Sequence, residues 1–357
     1  MSNKLGVGEH HTSTSRGLVI GLLASLAFAT SGALIKPLLE SGWSPAAAVT
    51  VRAGIAGLAL LPFAIVAMRG RWSALWRARW RVLGMALIGV AGTQLAYFAA
   101  ISRIPVSTAL LIEYLAPLLL VGLVWVRTRR APRAVVLVGS VVAIGGLVLV
   151  IGPSALAVSG GIDGLGLVFA LIAMVGVAAY YLIAARPSDG LPPVAFAASG
   201  LIFGSMALAL VGLLGLVPFA ADFGPVLLGS TADSVAGTVA GAAAGSIMVP
   251  WWVPLGFVAL VGTAFAYVAS IAASQALGPR LMSFVGLLEV VFASVFAWLV
   301  IGEAITPLQG LGGLLILGGI ALVRMEGEAD ANAPLEPGSV DEDAPDAATG
   351  PLLTFRS

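Results

Sequence analysis

Gly92-Thr93-Gln94-Leu95-Ala96-Tyr97 and Gly262-Thr263-Ala264-Phe265-Ala266-Tyr267 place the same glycine, threonine and tyrosine at the same spacing in the two halves of the chain. Both stretches lie inside long apolar runs. Further along, Trp125 precedes Gly145-Gly146 by twenty positions, and Trp298 precedes Gly318-Gly319 by the same twenty. Self-similarity over such a distance marks an internal duplication.

Composition sets the class of protein. Of the 357 residues 59% are hydrophobic and 10% charged, with a mean hydropathy of +1.06, whereas a soluble domain carries about 25% charge. So few charges cannot coat a chain of this length for water. A bilayer core of about 30 Å takes about 20 apolar residues per helix. Windows of that size predict ten spans: 17–39, 45–68, 82–102, 105–126, 133–152, 164–185, 192–217, 252–276, 280–301 and 306–324. Pro45, Pro105, Pro132, Pro192, Pro279 and Pro307 stand at span starts or in the turns before them, where a missing amide hydrogen costs little.

The predicted fold is thus an all-α membrane protein of ten transmembrane helices. Spans one to five (17–152) match spans six to ten (164–324). Because each repeat has an odd number of spans, the second enters the bilayer upside down relative to the first. Inverted repeats are the architecture of secondary transporters, whose substrate site lies near the midplane between the halves.

The arginines set the orientation. Arg69, Arg71, Arg77, Arg79, Arg81, Arg127, Arg129, Arg130, Arg133, Arg186 and Arg280 fall in the even-numbered loops, so the positive-inside rule puts both termini in the cytoplasm. The basic, tryptophan-containing loop 69–81 reads as a surface on anionic lipid rather than one for nucleic acid. Residues 1–16 form a polar cytoplasmic tail. Span one exceeds a signal-peptide core and no small-residue cleavage site ends it, so it reads as a retained helix. Residues 325–357, rich in Asp, Glu, Pro and Ala, read as a disordered acidic tail. The long outer loop 218–251, with Gly237, Gly241 and Gly245 among alanines, reads either as flexible or as a short small-residue helix against the bundle. Abundant Ala and Gly, with Arg far above Lys, point to a bacterial plasma membrane.

The run Ala27-Phe28-Ala29-Thr30-Ser31-Gly32 to Lys36-Pro37, then Pro45 and Val51-Arg52, resembles the opening of the EamA domain of the drug/metabolite transporter superfamily. Leu288-Glu289, Trp298-Leu299, Gly302-Glu303 and Gly318-Gly319 resemble the end of its second copy. The segment Leu111-Ile112-Glu113-Tyr114-Leu115-Ala116-Pro117-Leu118 is similar to the threonine and homoserine exporter type. Two positions depart from the family pattern: Arg130 stands where many members carry an acidic residue, and Val290 where many carry proline. The resemblance implies efflux of an amino acid or related amphipathic metabolite.

Within the spans few residues ionise, and each is a functional candidate because a charge in hydrocarbon costs at least about 2.5 kcal/mol. Arg52 lies about 10 Å and Glu113 about 12 Å from the outer face at 1.5 Å per residue, so an ion pair between the two is feasible. They line the outer half of a cavity or fix the packing of helices. Lys36 lies near enough to join them or to snorkel outward. Glu289, in the span matching that of Glu113, approaches from the cytoplasmic side. Two carboxylates, charged in water and neutral when occluded, suit coupling to protons. Tyr97 and Tyr267 hold matching repeat positions and are the expected aromatic lining, with Gln94 as a hydrogen-bonding group; Thr93, Thr263, Ser270, Ser274 and Gln275 serve either substrate or helix contacts. Tyr180 and Tyr181 read as packing, and the tryptophans as interface anchors.

The chain has no cysteine, and its two histidines, His10 and His11, sit in the N-terminal tail. Disulfides, thiolate chemistry and histidine-ligated metal are therefore not expected, and neither is a cofactor. No phosphate-binding loop is present, which argues against a self-contained ATP-driven pump. The partners expected are a small-molecule substrate, the lipid bilayer and protons, the protein being a monomer or homodimer and no enzyme. A membrane-embedded lipid-modifying enzyme and a channel are the alternatives from other classes.

Overall fold

The computed structural model describes residues 5–101, 103–104, 109, 112–129, 131–151, 163–187, 190–228, 247–301 and 307–331, which are mostly helical. The helices are α1 (Leu5–Glu40), α2 (Pro45–Ala67), the short α3 (Trp72–Arg77), and α4 (Arg79–Gly84), which continues through a π-helical turn (Met85–Gly92) into α5 (Thr93–Ile101). There follow α6 (Ala116–Thr128), α7 (Ala134–Ile151), α8 (Gly164–Ala184) and α9 (Pro193–Leu213). After a hairpin of β1 (Pro225–Leu228) and β2 (Ile247–Pro250) come α10 (Trp252–Ala259), a second π-helical turn (Leu260–Phe265), α11 (Ala266–Gly286), α12 (Leu288–Ile301) and α13 (Pro307–Ala331).

Among the described residues five helical stretches are long and apolar enough to cross a membrane: Pro45–Ala67, Arg79–Ala100, Gly164–Ala184, Pro193–Leu213 and Trp252–Gly286. Shorter apolar helices cover Ser15–Ser31, Ala116–Thr128, Ala134–Leu149 and Gly310–Val323. Their outer faces carry exposed Leu58, Phe63, Val141 and Leu213, and an apolar surface of this extent is at home in lipid, not water. The chain is a multi-pass membrane protein. Part of predicted span four (105–108 and 110–111) lies outside the described residues. At the ends, α1 is helical from Leu5 and α13 carries helix to Ala331.

The duplication is written into the packing. Helices α2 and α9 pack on each other, as do α7 and α13, each pair joining equivalent spans of the two repeats. Helix α1 packs on α11, and its counterpart α8 packs on α5. Exchanging the halves therefore returns the same set of neighbours. The two π-helical turns also correspond. In each, the repeat threonine turns its hydroxyl back five residues, Thr93 to the Ile88 carbonyl at 2.6 Å and Thr263 to the Val258 carbonyl at 2.9 Å. The wide turn brings the Leu87 carbonyl to 2.7 Å from where a β-carbon on Gly92 would sit, which leaves room for glycine only. Such single π turns inside α-helices often mark functional positions.

Lipid offers helices no hydrophobic drive to associate, so close packing of small residues takes its place. At the crossing of α7 and α13 a β-carbon on Gly146 would lie 2.8 Å from the Ile316 amide nitrogen, and one on Gly139 would lie 2.9 Å from the Gly319 carbonyl. The helices touch backbone to backbone there.

The outer loop is anchored at its described ends. Ser44, the N-cap of α2, donates its amide to the Ala220 carbonyl at 2.8 Å and accepts the Ala220 amide on its hydroxyl at 3.0 Å. Trp43 is buried, donates its indole N–H to the Asp222 carbonyl, and stacks with Phe223 and Trp251. It is thus a core residue beneath the hairpin and no interface anchor. The residues of the glycine run, 229–246, lie outside the described residues.

Candidate functional site

Two helices that carry carboxylates are broken. In the first half Tyr114 and Leu115 form a turn just after Glu113, and α6 starts at Ala116 with Pro117 in its first turn. In the second, α11 ends at Gly286, Leu287 makes the turn, and α12 starts with Glu289 in its first turn. Both breaks are closed by bonds three residues back: Leu115 to Ile112 (3.1 Å) and Leu118 to Leu115 (2.9 Å) in one, Leu287 to Phe284 (3.0 Å) and Val290 to Leu287 (3.1 Å) in the other. Tight turns keep the backbone satisfied where no water is at hand. The positive end of α12 faces the Glu289 carboxylate, an interaction of about 0.3–1 kcal/mol.

The side chains at these breaks meet. Arg52 on α2 interacts electrostatically with Tyr267 on α11 and Glu289 on α12, and donates to the Gln94 amide oxygen at 3.5 Å. The Tyr114 hydroxyl lies beside the Glu289 carboxylate. Glu113 is in the field of Glu289, and both act on Tyr97 and Tyr181. Tyr181 rests its hydroxyl against Gly286, where a β-carbon would collide with it. Tyr267 is held between Phe28 and Tyr180, at centroid distances of 5.4 and 5.7 Å with steep interplanar angles of 72° and 77°. Arg52, Glu113 and Glu289 are each half-buried.

Neighbouring contacts fix the helices that bear this cluster. Arg81 caps the C-terminal end of α8, donating to the carbonyls of Ile183 (3.1 Å), Pro187 (2.7 Å) and Ala184 (3.4 Å), with its guanidinium 4.4 Å above the Phe196 ring. A cation at a helix C-terminus satisfies carbonyls that have no helical partner. At the other end Asp163 caps α8, accepting from the Leu165 amide at 2.8 Å and the Gly166 amide at 3.2 Å. Arg103 pairs with it at 3.3 Å. The Gly166 and Leu165 amides, with Arg103 beside them, hold the Asp163 carboxyl below the usual carboxylate range.

The residues singled out by sequence come together. Arg52, Gln94, Tyr97, Glu113, Tyr267 and Glu289 belong to one cluster. The carboxylate that acts on Arg52 is Glu289 of the second half, where equal depth makes Glu113 a feasible partner. Depth along a helix does not give the direction in which a side chain points. Tyr97 and Tyr267 are not equivalent either: Tyr267 is buried in an aromatic stack, while Tyr97 is half-buried beside the carboxylates. Lys36 lies on α1 with its side chain outside the described residues. The sequence assigns Tyr114 no role and reads Tyr181 as packing; the signal for both is that all five tyrosines fall inside spans and Tyr114 adjoins Glu113. No group of three metal-binding side chains occurs among the described residues.

A model of the EamA-like transporter family matches residues 15–152 and again 164–325. A protein of known crystal structure is similar in fold, with a TM-score of 0.63 at 20% identity over 88% of this chain and 98% of that one. No curated protein sequence matches the chain.

Proposed function

Because the chain belongs to the EamA-like transporter family, matched twice along its length, we propose that it is a secondary active transporter that exports a small metabolite. An amino acid or related amphipathic compound is the substrate class. Ten spans in two inverted five-helix repeats, 17–152 and 164–324, alternate access to one central cavity, with both termini in the cytoplasm and the protein in a bacterial plasma membrane. A single chain suffices, since both walls of the cavity come from it. Its work is transport and not catalysis.

One observation supports this reading: Glu113 and Glu289 sit beside turns in corresponding helices of the two halves and share electrostatic neighbours with Arg52, Tyr97, Tyr181 and Tyr267. Discontinuous helices at the interface between repeats are how secondary transporters build substrate and ion sites within the bilayer. Arg52 suits a substrate carboxylate, and the two acids suit an ammonium group or the coupling proton. The tyrosine hydroxyls offer hydrogen bonds that tolerate either state. Gln94, held by Arg52, sets the angle of the guanidinium.

Proteoliposome uptake and counterflow with a mixed panel of labelled amino acids and metabolites, with and without an imposed pH gradient, tests the reading. Saturable flux that responds to the gradient and is lost in folded Glu113→Gln and Glu289→Gln supports it. Flux in both variants equal to wild type would remove the carboxylates from the mechanism. Unsaturable flux at channel rates would replace the transporter by a pore.

A further inference from the structure

Most buried hydroxyls among the described residues are satisfied. Ser25, Thr30, Ser44, Thr93, Ser140, Ser205, Thr263 and Ser283 are all buried and each engages a backbone group. A helical serine ordinarily bonds back to a carbonyl one turn earlier, as Ser140 does to Val136 and Ser283 to Arg280, both at 2.7 Å. Ser274 on α11 is 0% exposed, and its hydroxyl has no partner among the described residues. The amide nitrogen of the next residue, Gln275, is buried and unpartnered in the same way. The Tyr180 hydroxyl is a third: it faces Ser270 without a hydrogen bond of good geometry.

Ser274 does not stand alone. Tyr267, Ser270 and Ser274 follow one another at three and four residues, so they share a face of α11, and Tyr180 lies against Tyr267 and Ser270 on that face. Ser274 lies seven residues, about 10 Å, along the helix from Tyr267. The stripe begins at the carboxylate cluster, where Tyr267 meets Arg52. It ends at Gly278, whose φ of 77° and ψ of 166° break the helix before Pro279, on the side that the arginines assign to the cytoplasm. Beyond it Met282, Phe284 and Val285 are buried and close that end. A buried polar group without a partner is destabilising; a second conformation in which it is hydrated removes the penalty.

We propose that Ser274 and Gln275 line the inner half of the translocation path, closed in this conformation, and that water and the polar groups of the substrate satisfy them when the helix opens at Gly278. The proposal rests on the transport reading above and adds the route by which the central site communicates with the cytoplasm.

The cysteine-free sequence gives a direct test. Ser274→Cys, Gln275→Cys and Tyr97→Cys are each made as the sole cysteine, with Val141→Cys on the lipid face, where Val141 is 71% exposed, as control. A charged, membrane-impermeant thiol reagent is applied to inside-out vesicles and to intact cells. Cysteines at 274 and 275 are expected to react at least about tenfold faster in inside-out vesicles than in cells, and about tenfold faster than Cys at 141, an access difference of about 1.4 kcal/mol at the tenfold level. Ser274→Ala is expected to melt at or above the wild-type temperature, since it removes an orphan and no bond. Failure of 274 and 275 to react from inside, or equal reaction from both sides, overturns the path, as does a clear fall in melting temperature for Ser274→Ala. If Tyr97→Cys still reacts in that case, the central cavity and the transport reading stand. If Tyr97→Cys is also inert from both sides, both fall together.

Discussion

The Glu289 carboxylate, in the first turn of α12, lies in the field of the Arg52 guanidinium on α2 and so ties the second half of the chain to the first. Removing one partner of an enclosed pair leaves the other uncompensated, at a cost of up to about 3–5 kcal/mol, whereas replacing both with apolar groups is often neutral. Thermal unfolding in detergent is expected to show Arg52→Met and Glu289→Met each strongly destabilised and the double variant recovered by at least half. Additive losses would mean that the two side chains do not act on each other.

The matching threonine bonds predict matching losses. Thr93→Val and Thr263→Val each remove one hydroxyl bond to a carbonyl five residues back, worth about 1 kcal/mol. The two sites share no partner, so the double variant should lose about the sum. Urea or thermal titration in micelles measures it, and a loss confined to one threonine would break the equivalence of the π turns.

Each Gly-Gly pair has one working member. Around Gly145 and Gly318 nothing lies within 4 Å of an added β-carbon, while at Gly146 and Gly319 such an atom meets the neighbouring backbone. Gly146→Ala and Gly319→Ala are expected to cost about 1–3 kcal/mol by overpacking. Gly145→Ala and Gly318→Ala are expected to be neutral or slightly stabilising through helix propensity. Equal effects within either pair would contradict the crossing of α7 and α13.

The α8 cap predicts an acid limb. The Asp163 carboxyl is held below its usual range, chiefly by the Gly166 and Leu165 amides. Its contribution is therefore complete above the unfolded value of about 3.9 and disappears as the pH falls through the lower folded value. Melting temperature between pH 3 and 7 should fall more steeply toward acid for wild type than for Asp163→Asn. The exposed setting keeps the difference small, and identical profiles would show that the cap holds no charge.

The sequence alone determined what is local. An apolar run of about 20 residues in lipid has to satisfy its own backbone, and the helix is the way to do so within one segment. The runs and their proline punctuation therefore predict helix where α2, α8 and α9 stand, and the Gly-Thr spacing exposes the duplication. It also named Arg52, Glu113 and Glu289, because an ionisable side chain is conspicuous in such a run. What it left open depends on azimuth and on breaks. Depth offers Arg52 a partner of equal height in Glu113 but does not point to Glu289, the carboxylate that acts on it, since about 1.5 Å per residue gives height and says nothing of direction. Trp43 read as an anchor because its burial comes from Asp222, Phe223 and Trp251, nearly 180 residues and more away. Tyr181 joins the cluster only because Gly286 makes room for its hydroxyl. Such contacts form when distant helices pack, and the tertiary structure decides them because no segment holds both sides of the contact.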